Sequence, residues 1–315
     1  MSTTTTGNIN SGSTSSPSTA LGVMSTRKVI ESFQPNLYYE QMAEVVVLEA
    51  GNFYDRFHLF DQIATSSVGS LTEGTAPTAA AVTITSKDNT PTQYGISVEL
   101  TDLAVATTAF DLIQGTSKEV GLAVARKIDA VIQTVANAGT NVIYSGTATS
   151  RATLALTDVV TYPNCVKAVN KLRKNSAPKF SDGNYRGILT VEQAYDLKAN
   201  TSVGQFTDVS KYAQPERILN GEIGMIDGAR LIESGNVSTF ASTTTVYPAL
   251  FAGANGLRVT YWFPSKTKTY INLPESSNLY NPLGQKGSVG AKVNMAVSRV
   301  REEALCRLES GGTVL

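Results

Sequence analysis

The residue types that commonly carry catalysis are scarce in this chain, and their spacing does not bring them together. His58 is the only histidine. A Ser–His or Cys–His nucleophile pair would have to use it, with Cys165, Cys306 or a serine as partner. No GxSxG elbow occurs, and His58 sits in the aromatic stretch FYDRFHLF, where a packed or surface histidine is the ordinary reading. The two cysteines lie far apart and outside any metal-ligand spacing. One disulfide between them is compatible with the sequence; a disulfide framework is not. A zinc site needs about four ligands, which one His and two distant Cys do not supply.

Two glycine-rich runs, GEIGMIDG at Gly221–Gly228 and GQKGSVG at Gly284–Gly290, resemble phosphate loops superficially. Neither matches GxxxxGK[ST], and neither places GxGxxG between a strand and a helix, so turns are the expected role. The carboxylate pairs Glu99/Asp102 and Glu302/Glu303 are what any chain with 26 acids shows, and spacing names no acid–base partner for them. The chain is therefore expected not to be an enzyme and to hold no metal or cofactor. Lys167–Lys179 (KAVNKLRKNSAPK) is the one basic run. It suits contact with nucleic acid or, more commonly, a solvated helix face. Lys plus Arg equals Asp plus Glu at 26 each, which argues against a dedicated nucleic-acid binder.

The elements that position these residues can be read from patterning. With 315 residues and 42% apolar content the chain can bury a substantial core. Residues 2 to about 20 are almost all Ser, Thr, Gly and Asn, a composition too polar to pack and expected to form a tail. The N-terminus has neither the basic start nor the apolar stretch of a signal peptide, and no apolar run approaches the roughly 20 residues of a membrane helix. Residence in a cytosol-like compartment follows as an expectation. Val29 to Ile63 carries seven aromatics without a clean period, which fits an arm docking on other chains or, equally, a first helix and strand of the core.

Between residues 64 and 100, Val82 and Ile84, then Tyr94, Ile96 and Val98, alternate with polar or small residues around the turn cluster SKDNTPT. The pattern predicts a long β-hairpin. It has few large apolar residues and cannot bury a face of its own. A helix is expected from Thr107 to Asn137, with an apolar stripe of Ile113, Val120, Val124, Ile128, Val131 and Val135, a cap at Thr107 or Thr108 and a stop at Gly139. From 150 to 257 the chain alternates: a helix after Pro163, a buried strand RGILT, a helix opened by the Thr190/Gln193 capping-box spacing, a turn at Asp227–Gly228 into ARLIE, and a strand–turn–strand over Pro248–Val259. The final stretch alternates from Val289 to Val297, then slips phase by one through Val300 to Leu308, as a bulge in one long strand would cause.

Three segments in order carry a resemblance. SLTEGTAPTAAAVTITSKDNTPTQYGISVELTDLA with the long helix and NAGT, then KLRKNSAPKFSDGNYRGILTVEQAYDL with GEIGMIDGARLIES, and finally NPLGQKGSVGAKVNMAVSRVREEALCRLES are similar to the major capsid proteins of tailed bacteriophages, in the family of the coliphage N-four coat protein. The resemblance implies an α+β chain with the Hong Kong 97-type capsid fold. Residues 1–66 would be the tail and N-terminal arm, and 67–99 an E-loop hairpin reaching over a neighbour. Residues 100–149 with 258–315 would form a peripheral (P) domain around a spine helix, and 150–257 an axial (A) domain. It further implies a coat protein that self-assembles as pentamers and hexamers of an icosahedral shell, localised in the virion after assembly in the host cytoplasm. Scaffolding and portal proteins, packaged double-stranded DNA on the inner face and a decoration protein are the implied partners, with no membrane. An encapsulin-like compartment is the alternative use of the same fold. Inter-subunit contact candidates are Glu73, Lys87, Asp88, Asn89 and Tyr94. Lys87 at the expected hairpin tip is the lysine to consider for the Lys–Asn cross-link that some relatives form.

Overall fold

The computed structural model describes residues 38–49, 51–76, 79–108, 110–199, 222–262, 267–274 and 281–313. The polar tail expected over residues 2–20, and the first part of the arm, lie outside them.

A short 3-10 turn at Tyr39–Met42 leads into β1 (Ala43–Leu48), followed by β2 (Asp55–Phe60), β3 (Ile84–Asn89) and β4 (Thr92–Thr101). Helices α1 (Asp102–Thr107) and α2 (Leu112–Asn137) come next, then β5 (Val142–Tyr144), α3 (Tyr162–Lys174), β6 (Tyr185–Thr190) and α4 (Val191–Ala199). The rest is strand: β7 (Glu222–Ile226), β8 (Ala229–Ser234), β9 (Phe240–Ala241), β10 (Thr245–Ala252), β11 (Leu257–Trp262), β12 (Thr267–Asn272), β13 (Lys286–Arg299) and β14 (Leu305–Ser310).

Two mixed sheets organise the body. In the first, β13 is central. It pairs with β4 along Lys286–Met295, and on its other edge with β12 and β11 in turn; β1 adds to β11 in parallel. The second runs β5-β14-β10-β6-β8-β7, with β9 on β10. Alternation along β10 sends Ala249 and Phe251 into a core with Cys165, Val169 and Leu172 of α3, while Leu250 and Ala252 join a second core with α2 and the first sheet. The second sheet is thus buried on both faces, which is why its strands read as apolar runs. β2 and β3 form a separate two-stranded ribbon.

Local chemistry explains most boundaries. Pro163 lies in the first turn of α3, where its missing N–H removes no helical bond. At α4, Gln193 N donates to Thr190 Oγ1 and Thr190 N donates to Gln193 Oε1, both at 3.2 Å, the reciprocal capping box the spacing predicted. Asp227 and Gly228 both have positive φ (47° and 80°) and join β7 to β8 with Ile226 facing Ala229, the backbone a two-residue primed turn demands.

Four expectations need correction. The predicted hairpin does not exist as a pair: β3 pairs with β2 and β4 pairs with β13. Period-2 alternation specifies which face a residue occupies but not its partner strand. Residues 38–48, placed with the arm although a first element of the core fitted equally, take that second course: Tyr39 and Met42 are fully or nearly buried and β1 pairs with β11 in the first sheet. The helix expected from Thr107 is α2 and begins only at Leu112, while Thr107 ends a separate short helix, α1, that no stripe announced. Thr101 caps α1 and Asp111 caps α2, its side chain accepting Gln114 N at 2.9 Å; Thr108 and Asp111 between them are extended. At its far end α2 stops at Ala138 in helical geometry, and Gly139 does not supply a left-handed cap. Finally, the phase slip after Val297 is a crossing rather than a bulge. β13 ends in the first sheet, residues 300–304 cross, and β14 begins in the second, so 258–315 is divided between the sheets. β10 and β11 cross beside it, and Gly253 N to Ala304 O (2.8 Å) and Val300 N to Gly256 O (2.9 Å) tie the crossings together. Gly253 has to be glycine: a Cβ there would lie 2.7 Å from Pro178 O.

Candidate assembly surface

The ribbon of β2 and β3 leaves the body, and the chain between its strands runs over Asp61–Thr83. Every described residue from Phe60 to Ser86 is exposed. Among them are Phe60, Ile63, Val68, Leu71, Val82 and Ile84, with Val68 and Leu71 the most open at 79% and 76%. Fully burying one such side chain stabilises by about 1.5–3 kcal/mol, so six held in water are costly to a free monomer. Apolar exposure on this scale is uncommon on a monomer and is of the kind that interaction surfaces present. Between Leu59 and Ser86 the only charged residues are Asp61 and Glu73, so the segment is weakly acidic.

The root of the ribbon differs from its tip. Asp55 and Asn89, which face each other in register, are 7% and 4% exposed. Arg258 donates to both Asp55 oxygens (2.7 and 3.1 Å), and Thr260 Oγ1 donates to Asp55 Oδ2 (3.0 Å) while accepting from Asn89 Nδ2 (2.9 Å). Lys87 Nζ donates to the carbonyls of Arg299 and Val300 at 3.1 and 3.0 Å. Outside this, Arg56 holds Asp88 bidentately at 2.6 and 2.8 Å. That hydrogen bond is the main reason the Asp88 carboxyl titrates below its ordinary range.

This places the five contact candidates. Glu73 lies in the exposed segment. Lys87, Asp88 and Asn89 are not at a tip but at the root, held by their own chain. The misplacement follows from the wrong strand pairing, which put the turn at 86–92 instead of 61–83. Tyr94 is half-buried on β4, its ring under Lys127 Nζ at 5.1 Å. Reasoning from the sequence missed Asp55, Arg258 and Thr260. The only signal for them was an arginine and a threonine interrupting the apolar strand LRVTYW, and nothing local points 203 residues back to Asp55.

The chemical candidates are dispersed. His58 is exposed on β2 with Nδ1 2.8 Å from Ser86 Oγ. Cys165 and Cys306 are free and buried in the α3 core, where burial pushes both thiols up to about 12. No group of three potential metal ligands occurs among the described residues. The glycine runs are the β7–β8 turn and the start of β13. In the basic run, Lys171 Nζ donates to Val142 O and Arg173 Nη1 to Asp227, while Lys167 and Lys174 lie on the exposed side of α3.

A family model described as a phage capsid protein matches residues 71–305, well over half of the chain. The chain belongs to the phage capsid protein family. No curated protein sequence matches it. Solved structures similar to this capsid protein include the head of Helicobacter pylori bacteriophage KHP40 (16% identity, 98% of this chain and 100% of that one, TM-score 0.72). The capsid of Ralstonia phage GP4 (16% identity, 98% and 99%, TM-score 0.70) and that of cyanophage P-SCSP1u (16% identity, 93% and 94%, TM-score 0.69) are also similar. At such identities they establish the fold, the α+β Hong Kong 97-type capsid fold. The family match establishes the role: a major capsid protein, a structural subunit that associates with copies of itself to form a phage shell. The encapsulin-like alternative is not favoured.

Proposed function

We propose that this capsid protein closes an icosahedral shell of pentamers and hexamers by laying the Asp61–Thr83 segment of each subunit across its neighbour. The observation that carries this reading is the unbroken exposure of the described residues from Phe60 to Ser86, six large apolar side chains included. A surface patch on one copy that meets a different patch on the next is a heterologous contact, and such contacts generate closed rings when the rotation closes. In the terms of the fold, the ribbon is the E-loop, now spanning about 52–90. The first sheet with α2 is the P domain, and the second sheet with α3 and α4 is the A domain.

On this reading the particle assembles in the host bacterial cytoplasm with scaffolding and portal proteins, encloses double-stranded DNA on its inner face and accepts a decoration protein outside. The subunit contributes no catalysis. Its work is positional, since each ring of contacts repeats one geometry many times. The test is electron microscopy of the expressed chain, alone and with a scaffolding partner. Closed particles of uniform diameter are expected. A chain that stays monomeric under every assembly condition would overturn the proposal.

A further inference from the structure

The ribbon could have been a free strap that finds its pose only on meeting a neighbour. Its root indicates otherwise. One hydroxyl, Thr260 Oγ1, joins both strands, donating to Asp55 on β2 and accepting from Asn89 on β3. Asp55 is further held by Arg258, whose guanidinium lies 5.1 Å over the Phe57 ring. Lys87 grips two successive carbonyls, Arg299 and Val300, where β13 leaves the first sheet. Arg301 Nη2 reaches back to Phe60 O at 2.9 Å on the other strand. Both strands are therefore tied at two levels, to β11 and to the first residues of the crossing between sheets. Asp55 and Asn89 are nearly dry, so these bonds do not exchange freely with water, and a partner left unpaired there keeps its desolvation penalty.

We propose that Thr260, Asp55, Asn89 and Lys87 form a polar latch that sets, within one subunit, the angle at which the ribbon leaves the body. The ribbon enters assembly already aimed, and the latch narrows the range of tilts at which it can meet a neighbour. Because Lys87 and Arg301 hold the crossing, the aim is referred to the joint between the two sheets. This inference rests on the shell reading above. It also makes Lys87 a positioning residue rather than a cross-linking one.

The test uses the full chain carrying Thr260→Val and Lys87→Met together, with Lys87→Met alone as a milder form should the double variant fail to fold. Arg56→Gln, which breaks only the exposed pair with Asp88, is the control. Hydrogen exchange is measured on dissociated subunits and particle diameter by electron microscopy. The latch variants should keep the wild-type exchange pattern in α2 and β10, raise exchange of the amides of 56–60 and 84–89 about tenfold or more, and give particles of mixed diameter or open sheets. The control should leave both readouts near wild type. Unchanged exchange at the root, uniform wild-type particles from the latch variants, or an equal effect from the control would each overturn the latch. If the wild-type chain formed no particles, the shell reading would fail, while the exchange comparison would still decide whether the root is latched.

Discussion

The sharpest consequence of the exposed ribbon is that most of it can be removed without harm to the fold. Phe60 and Ile84 are a registered pair, and 23 residues separate them. Replacing Asp61–Thr83 by Asn-Gly closes the same pair with a two-residue primed turn. None of the described residues removed is buried, so the loss of hydrophobic stabilisation is close to zero. Loop closure becomes easier: shortening a flexible loop from 23 residues to two lowers its entropic cost by about 2 kcal/mol on the logarithmic scaling. The variant should therefore unfold at or slightly above the wild-type midpoint, measured on dissociated subunits by urea titration with circular dichroism. Under assembly conditions it should give no closed particles, by sedimentation and electron microscopy. An unfolding free energy that falls by several kcal/mol would show that the segment packs on its own body. Normal shells would show that it is not the contact. Either result refutes the reasoning.

Other perturbations address the body. Phe251 is fully buried between β10 and α3, and Phe251→Ala should lower unfolding free energy by about 3–5 kcal/mol, measured by the same titration. Glu309 is fully buried and accepts two bonds from Arg151 (2.9 and 2.6 Å), while Arg307 Nε lies 2.7 Å from it in an orientation that makes no hydrogen bond. Glu309→Gln leaves two cations without their anion and should cost about 3 kcal/mol, near the low end for a broken buried pair because Arg151 is a third exposed. The Asp129 carboxyl, buried and accepting Tyr39 N and Asn236 Nδ2, is raised above its ordinary range chiefly by desolvation, with Glu40 adding to the rise. A folded value above the unfolded one means that its contribution is fully present below about pH 4 and is lost as pH rises through the raised value. Subtracting the pH–stability profile of Asp129→Asn from that of wild type should give a difference that falls over that window; a flat difference refutes the assignment. With both thiols pushed up to about 12, neither Cys165 nor Cys306 should react with a thiol reagent at neutral pH in the folded subunit, and both should react in denaturant.

What could be read from the sequence followed the range of the interactions involved. The Thr190/Gln193 box, the Asp227–Gly228 turn and the placement of Pro163 act within four residues, and each is where its spacing put it. The buried side of α2 was legible as far as Val120 and Val124, but its start was not. The stripe opens only at Ile113, so it carries no information on where between Thr107 and Leu112 the helix begins. Pairing was the least legible property. β3 and β4 are separated by two residues, yet one joins β2 and the other joins β13 from nearly 200 residues later. The crossing at 300–304 looked like a bulge because both shift side-chain parity by one. At the root, Asp55, Arg258 and Thr260 are brought together only by the closed fold, so no spacing rule could nominate them.

The twin crossings between the sheets have a mechanical meaning for a shell. β10 with β14, and β11 with β13, are antiparallel pairs made by the same two chain segments, so one ladder threads both sheets and bends between Ala252 and Leu257. A tangential pull along that ladder loads its transverse hydrogen bonds in shear, many at once, instead of opening them one by one. Bending falls instead on residues 253–256 and 300–304 and on the core that Leu250 and Ala252 share with α2 and the first sheet. Tension and flexure are thus carried by different parts of the subunit. In a shell of such subunits, a stretching load would be shared along the ladder, and a bending load would meet the packed side chains between the sheets.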